Sequence, residues 1–402
     1  MIKLASTDNC TGCGLCMQVC PHKAINMIED NEGFKQPVIN LDKCIECGLC
    51  IRKCPQLTKV GACNCNDFEQ LCYAAYSYKY QKNGSSGGLF SSIADYVLSN
   101  HGVVYGAAFD KEFKLKHIGV TSESQMQQLR GSKYLQSDLG FIFKEVKENL
   151  ENNIMVLFSG TPCQVDGLKS FLGKKRDDGL ITIDLVCHGV PSQKAFDKLM
   201  ETIIKKYGKI KNFQFRKLDG WSILPRITNE KGKIYSLRYD MEAYMWAFYK
   251  GYLFRECCYN CKYANLNRNS DITLADFWGI GNYGTPFKCN QTHGISLVLI
   301  NTLKGKLVFD SLKNIYKEER TLKEALNKQH NLKSPSIRPQ NRDYTANDFI
   351  SKMSLLEFSK KYNLLPRNKN LYVITSKIKD TLIDWGFFDV MKDAKNRIKK
   401  LL

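Results

Sequence analysis

The sequence contains no run of about 18 apolar residues, so no segment is expected to cross a membrane as a helix. Its start, Met1-Ile2-Lys3-Leu4-Ala5-Ser6-Thr7-Asp8, lacks the apolar stretch of a secretion signal, which points to the cytoplasm. Helix-turn-helix, RNA-recognition and zinc-finger patterns are missing, so a basic composition does not by itself indicate nucleic acid. No C-x3-C-x2-C triplet occurs, which removes the radical S-adenosylmethionine enzymes from consideration. With 43% apolar and 25% charged residues the chain is not an intrinsically disordered one. At 402 residues it is too long for one ordinary core, and two or three domains are expected.

What the sequence has in abundance is cysteine. Seventeen is an odd number and unlike a secreted disulfide framework, so a reducing, anaerobic compartment is the natural setting. Eight of the seventeen fall in two copies of one pattern. The first is Cys10-x2-Cys13-x2-Cys16-x3-Cys20-Pro21, and the second is Cys44-x2-Cys47-x2-Cys50-x3-Cys54-Pro55. Three thiolates at this spacing cap three irons of a cubane, while the fourth, held off by three residues and a proline, ligates the other cluster. The expected sets are therefore Cys10, Cys13, Cys16 and Cys54 for one [4Fe–4S] cluster, and Cys44, Cys47, Cys50 and Cys20 for a second. Zinc knuckles or a disulfide framework are the competing readings. The segment resembles a bacterial two-cluster ferredoxin over about residues 1–60.

The formal charge of +19 shrinks once clusters are counted. A cubane with four thiolates carries about −2, so three of them would leave about +13. That surplus suits an acidic redox partner, such as a ferredoxin or flavodoxin, another oxidoreductase subunit, or a polyanionic cofactor.

Beyond a linker at 61–72, Asn83-Gly84-Ser85-Ser86-Gly87-Gly88 precedes a helical pattern at 89–98. A Ser/Gly turn opening a helix presents free N–H groups to a phosphate, although such a turn is also an ordinary cap. Two strand–turn–helix units follow, at 154–171 and 180–207, which imply a partly parallel sheet. Ligands bind beyond the carboxyl ends of such strands, where Cys163 and Cys187 stand. With the Cys258-x2-Cys261 pair they make four thiols, enough for a third [4Fe–4S] cluster; buried apolar cysteines or a zinc site are the alternatives. Cys63, Cys65, Cys72, Cys257 and Cys289 are left unassigned, with Cys257 able to replace Cys258. Past about residue 305 the chain reads as lysine-rich and helical, ending in a basic amphipathic segment with Trp385, Phe387 and Phe388. A docking helix is its expected role, and peripheral membrane contact the lesser one.

The order of Ser85-Ser86-Gly87-Gly88, Arg130-Gly131-Ser132-Lys133-Tyr134, Ser159-Gly160-Thr161-Pro162-Cys163-Gln164, Leu185-Val186-Cys187-His188-Gly189-Val190-Pro191, the 258/261 cysteines and Asp271–Gly279 resembles the coenzyme F420 hydrogenase/dehydrogenase beta-subunit family. The resemblance spans about residues 1–305 and implies an FAD-dependent iron–sulfur oxidoreductase with a fused ferredoxin domain. The implied fold is a multidomain α+β and α/β chain: ferredoxin-like 1–60, a flavin-binding core at 73–305 and a helical extension at 306–402. It also implies FAD at Ser85, Ser86, Gly87, Gly88, Ser132 and Lys133, with Lys133 and His188 as candidate catalytic groups. Coenzyme F420 is a candidate substrate, although the region past 305 resembles bacterial relatives found among polysaccharide-biosynthesis genes. A pure electron-transfer subunit without flavin is the alternative function.

Overall fold

The computed structural model describes residues 2–58, 68–173, 179–218, 224–237, 239–281, 286–288, 293–351, 353–364 and 378. Cys63, Cys65, Cys289 and the segment around Trp385 lie outside these residues. The N-terminal module comprises helix α1 (Leu15–Val19), the antiparallel hairpin β1 (Ile25–Glu29) and β2 (Lys35–Ile39), and helix α2 (Leu49–Arg52). Its internal repeat is visible in the backbone: α1 and α2 each begin at a left-handed glycine, Gly14 at φ 68° and Gly48 at φ 71°. That conformation favours glycine at the matching position of each copy.

The remaining strands are β3 (Leu71–Ser77), β4 (Val103–Phe109), β5 (Leu115–Val120), β6 (Val156–Gly160), β7 (Leu180–Leu185), β8 (Ile210–Gln214), β9 (Arg226–Asn229), β10 (Ile234–Ser236), β11 (Ile272–Asp276), β12 (Ser296–Ile300) and β13 (Ile315–Arg320). The helices between and after them are α3 (Leu89–Ser99), α4 (Glu123–Met126), α5 (Ile142–Glu151), α6 (Pro162–Leu172), α7 (Gln193–Tyr207), α8 (Glu242–Tyr249), α9 (Leu303–Ser311), α10 (Leu322–Leu326), α11 (Arg342–Ile350) and α12 (Leu355–Lys361). Eight strands form one mixed sheet in the order β13-β3-β12-β11-β7-β6-β4-β5. Its centre, β11-β7-β6-β4, is parallel, and both flanks are antiparallel.

Strand alternation divides the core between the two faces. Leu157 of β6 joins Leu89, Ile93 and Val97 of α3 on one face, and its neighbours Val156 and Phe158 join α5 and α6 on the other. Helix α6 carries a complete capping box, with Thr161 and Gln164 exchanging side-chain bonds with backbone N–H groups and proline at its first position. Ser192 caps α7 by accepting from Ala195 N.

Two features depart from expectation. A separate three-stranded sheet, β8 to β10, packs with α7, α8, α11 and α12 around an aromatic core that includes Phe196, Phe213 and Tyr244. The region past 305 is not wholly helical, because β13 pairs with residues 72–77 of β3 and closes that side of the sheet. Its charged sequence, Ile315-Tyr316-Lys317-Glu318-Glu319-Arg320, suits an edge strand that must resist further pairing.

The N-terminal module is locked into the core rather than tethered to it. Leu15 of α1 enters the cluster formed by α5 and α6. Gln18 accepts from Phe143 N at 2.9 Å, Gln136 donates to Thr11 O at 2.7 Å, and Ser170 Oγ donates to Lys53 O at 2.6 Å. Arg342 clamps the Glu32 carboxylate with both of its terminal nitrogens.

Candidate functional site

Two cavities open inside the N-terminal module. One is walled by Cys10, Cys13, Cys16, Cys54 and also Cys50, and the other by Cys20, Cys44, Cys47 and Cys50. Each thus holds three cysteines of one repeat with the last cysteine of the other, and Cys50 borders both. Gly12 N donates to Cys10 Sγ at 3.4 Å and Ala24 N to Cys20 Sγ at 3.3 Å, bonds that favour negatively charged sulfur. Burial, then the neighbouring thiols Cys10 and Cys54, push Cys13 up to about 11, with a bond from Leu15 N opposing. Cys16 and Cys50 are raised for the same first cause. Sulfurs packed in this way ionise only when a cation neutralises them, which is what cluster iron supplies.

Among the described residues, no three His, Cys, Asp or Glu side chains converge closely enough to share one metal ion. Tetrahedral zinc, at about 2.3 Å from each sulfur, would draw its thiolates to within about 3.8 Å of one another. The cysteines instead surround voids, which fit a multi-iron group and not zinc. Cys54→Ala is expected to remove about four irons from the first triplet's centre although Cys54 follows the second. Mass spectrometry after alkylation should then label Cys10, Cys13 and Cys16; labelling of Cys44, Cys47 and Cys50 instead would refute the crossed sets.

The core brings a second group of thiols together. Cys163 sits in the first turn of α6 after β6, Cys187 follows β7, and Cys258 and Cys261 belong to a tight turn around residues 256–260 that precedes β11. Because β6 and β7 are adjacent and parallel, their carboxyl ends lie side by side. Cys163 is raised first by burial, and Cys187, Cys261 and Cys258 each add to it. Burial, then Cys258 and Cys261, push Cys187 up to about 12, while Arg268 pulls it down. All four sulfurs are thus within electrostatic reach of one another. Cys257 is hydrogen-bonded to Cys258, and Cys72 is buried in β3 opposite Leu299 as a small core residue.

The Ser/Gly turn also gathers the residues singled out for it. Ser85 Oγ lies 3.5 Å from Ser132 Oγ, and Ser86 Oγ lies 3.4 Å from Ser296 Oγ. Gly88, at φ 80°, begins α3. A Cβ on Gly87 would stand 2.4 Å from Ala75 O, so the turn is pressed against β3 by the absence of a side chain. Arg130, its guanidinium 4.8 Å above the Tyr80 ring, has a buried Nε with no hydrogen-bond partner among the described residues. An orphaned cationic donor beside a helix N-terminus fits a polyanionic group.

Lys133 is placed differently from its neighbours in the motif. Its ammonium donates to Leu129 O and Arg130 O at 2.8 Å and to Gln128 O at 3.3 Å, so its three protons are committed to carbonyls of the preceding turn. Burial pulls it down to about 7, while those carbonyls favour the charged form. His188 is exposed: its carbonyl accepts from Ser336 Oγ at 2.6 Å, and its ring lies 6.5 Å from Phe248.

A buried histidine escaped the sequence reading. His117 stacks on Phe158 at 5.3 Å, with Nε2 at 2.9 Å from Ser159 O and Nδ1 at 2.9 Å from Ser137 Oγ. Gln164 accepts from Thr161 N, so its Nε2 donates to Ser137 Oγ at 3.0 Å. Ser137 then donates to Nδ1, which leaves the proton on Nε2 and the ring neutral. Burial holds His117 down at about 4. The unfolded chain takes up this proton first, so stability is full above about pH 6.5 and falls by about 1.4 kcal/mol per pH unit toward 4. Denaturation midpoints at pH 7 and 5.5 should show the drop, and His117→Gln should lose that part of the slope.

Three family models match the chain. The coenzyme F420 hydrogenase/dehydrogenase beta-subunit N-terminal model covers residues 72–143 and the C-terminal model of the same subunit covers 155–325, together more than half of the sequence. The chain belongs to this beta-subunit family. A 4Fe-4S dicluster domain model covers residues 9–57, which makes this beta-subunit relative an iron–sulfur oxidoreductase with an N-terminal ferredoxin-type domain. A solved chain from the F420-reducing [NiFe] hydrogenase complex of Methanosarcina barkeri is 18% identical, covering 70% of this chain and 89% of that one, with a TM-score of 0.42. A search of curated proteins finds no match. Among the described residues no helix is long and apolar enough to cross a membrane.

Proposed function

We propose that this family member is a cytoplasmic FAD-dependent iron–sulfur oxidoreductase that passes electrons between a hydride-type donor or acceptor and an acidic one-electron carrier protein. The observation that carries the reading is the gathering of Cys163, Cys187, Cys258 and Cys261 at the carboxyl ends of neighbouring parallel strands, in a core that also bears the Ser85–Gly88 turn. That set holds the third [4Fe–4S] cluster, and the two N-terminal cavities hold the others. When bound, FAD supplies the exchange between hydride and single electrons.

The chain's own residues do the binding and positioning. The first turn of α3, entered through Gly87 and Gly88, turns its N–H groups to the flavin diphosphate, and Arg130 adds a fixed positive charge there. Ser85 and Ser132 bridge that turn to the loop at 130–134. Lys133 acts as the brace of this loop, holding Arg130 in place through its carbonyl. Coenzyme F420 is one hydride partner compatible with the family.

Iron and flavin analysis of one anaerobically purified sample tests the whole reading. About 12 irons with about one FAD per chain is the expected result. About 8 irons would remove the core cluster, and fully loaded protein without FAD would leave a pure electron-transfer subunit.

A further inference from the structure

The two N-terminal cavities are not equivalent with respect to the core. Cys13, from the first cavity, lies directly against α6: a Cβ on Gly167 would stand 3.2 Å from both Cβ and Sγ of Cys13. Cys163 is on the same helix, four residues and about 6 Å along the axis from that contact. A second bridge runs beside the first. Tyr263, two residues beyond Cys261, donates to Asp166 Oδ2 at 2.6 Å and receives a bond of 2.9 Å from Gln56, which lines the first cavity. Tyr263 is within electrostatic reach of both Cys13 and Cys163. Asp166 is completed by Asn269 Nδ2 at 2.9 Å and by Lys262 Nζ at 3.8 Å. A third link is Arg255, whose Nε donates to Cys10 O at 2.7 Å while its own carbonyl accepts from Cys258 N at 2.9 Å.

The second cavity has a different setting. Its walls, like those of the first, all belong to the N-terminal module, but they include Ile2, Ile39 and Ile45 where the first has Gln56 bonded to Tyr263. Cys47 is exposed, and Leu41 and Ile45 beside it are 64% and 62% exposed.

Resting on the function proposed above, we infer that electrons cross between the core site and the N-terminal module only at the Cys10/Cys13/Cys16/Cys54 site, with Tyr263 and Asp166 as the positioning pair, and that the Cys20/Cys44/Cys47/Cys50 site is the outer terminal. Each crossing moves one electron: the reduced centre is oxidised by one, its neighbour is reduced by one, and no bond or proton changes place. The inner site is then the obligatory middle of a three-centre path. At the far end, exchange is with the one-electron carrier, which meets the rim of Leu41, Ile45 and Cys47. Tyr263 and Asp166 act by fixing the turn that carries Cys261 against the helix that carries Cys163, not by taking the electron themselves.

Electron paramagnetic resonance on fully reduced protein containing about 12 irons per chain decides the order. The core and inner centres should interact magnetically, and that interaction should persist in Cys44→Ala/Cys47→Ala protein, where the outer site is lost. Its disappearance in this variant, or a core centre coupled to the outer site alone, overturns the order. Twelve irons with no core–inner interaction overturns the inference while leaving the proposed function intact; about 8 irons overturns both. Tyr263→Phe and Asp166→Asn should slow core-to-inner transfer about tenfold in freeze-quench experiments, with iron content and the outer signal unchanged. Native transfer rates in both variants would refute the positioning role.

Discussion

Replacing Arg255 with methionine should lower the stability of the folded chain by about 3–5 kcal/mol and loosen the N-terminal module from the core. The side chain is 1% exposed and, among the described residues, has no carboxylate as a hydrogen-bond partner. Its donors go instead to Cys10 O at 2.7 Å, Lys35 O at 2.8 Å, Gln36 Oε1 at 2.9 Å and Gln136 Oε1 at 3.2 Å. Three of these acceptors belong to the ferredoxin-type module, so one guanidinium from the core holds both the first cysteine loop and the β1–β2 hairpin. Methionine fills much of the volume but strands one buried acceptor, Cys10 O, and three half-buried ones, the buried one worth about 1–3 kcal/mol when left unpaired. Lysine should not rescue the loss, because a point charge with three donors cannot reproduce the planar fork. The control is Arg338→Ala. Arg338 pairs with Glu256 at 2.7 Å on the surface, and its removal should cost no more than about 1 kcal/mol. Guanidinium titrations that follow both tryptophan fluorescence and iron–sulfur absorbance would separate undocking from global unfolding. Equal midpoints for Arg255→Met and the native protein would show that the module is held elsewhere.

Nothing in the sequence marks Arg255 for this role, and the reason is physical. The cysteine repeats were legible because a cubane demands fixed spacing along one short stretch of chain, and that demand is local. Helices α3, α6 and α7 were legible from periodicity and caps, and the strand pairs at 156–160 and 180–185 from their turn-bounded apolar runs. The convergence of Cys163 with Cys187 followed from a general rule about parallel sheets. Contacts between distant segments have no such local signature. Arg255 meets residues more than 200 positions away, and Tyr263 meets Gln56 across 207. Strand β13 was hidden for a different reason: an edge strand must carry charge, so its sequence imitates a solvated helix face. Lys133 shows the converse limit. Its place in a motif pointed to the flavin, yet which way a lysine turns depends on carbonyls that the motif does not specify.

Replacing Arg268 with methionine should be comparably destabilising, by about 3–5 kcal/mol, and should also disturb the core cysteine site. Arg268 and Asp184 are each 1% exposed, with the charged atoms 3.0 Å apart. The contact is ionic rather than an aligned hydrogen bond, and the guanidinium spends its donors on Tyr263 O at 2.8 Å and Leu185 O at 3.0 Å. Those carbonyls fix the two segments that carry Cys261 and Cys187. Asp184 in turn accepts from Thr273 at 2.6 Å, which ties β7 to β11. Loss of Arg268 leaves a carboxylate buried without its countercharge, the costliest way to break such a pair. It also removes the positive charge that favours the thiolates of Cys187 and Cys261. Two measurements follow from this double role. Arg268→Met/Asp184→Asn should be more stable than the sum of the single losses implies, because the second change removes the stranded charge. On the function proposed above, the core centre of Arg268→Met should have a lowered reduction potential, and the double variant should recover much of it, since neutralising Asp184 removes a negative charge next to the lost positive one. An unchanged potential in Arg268→Met itself would place the effect of Arg268 in packing alone.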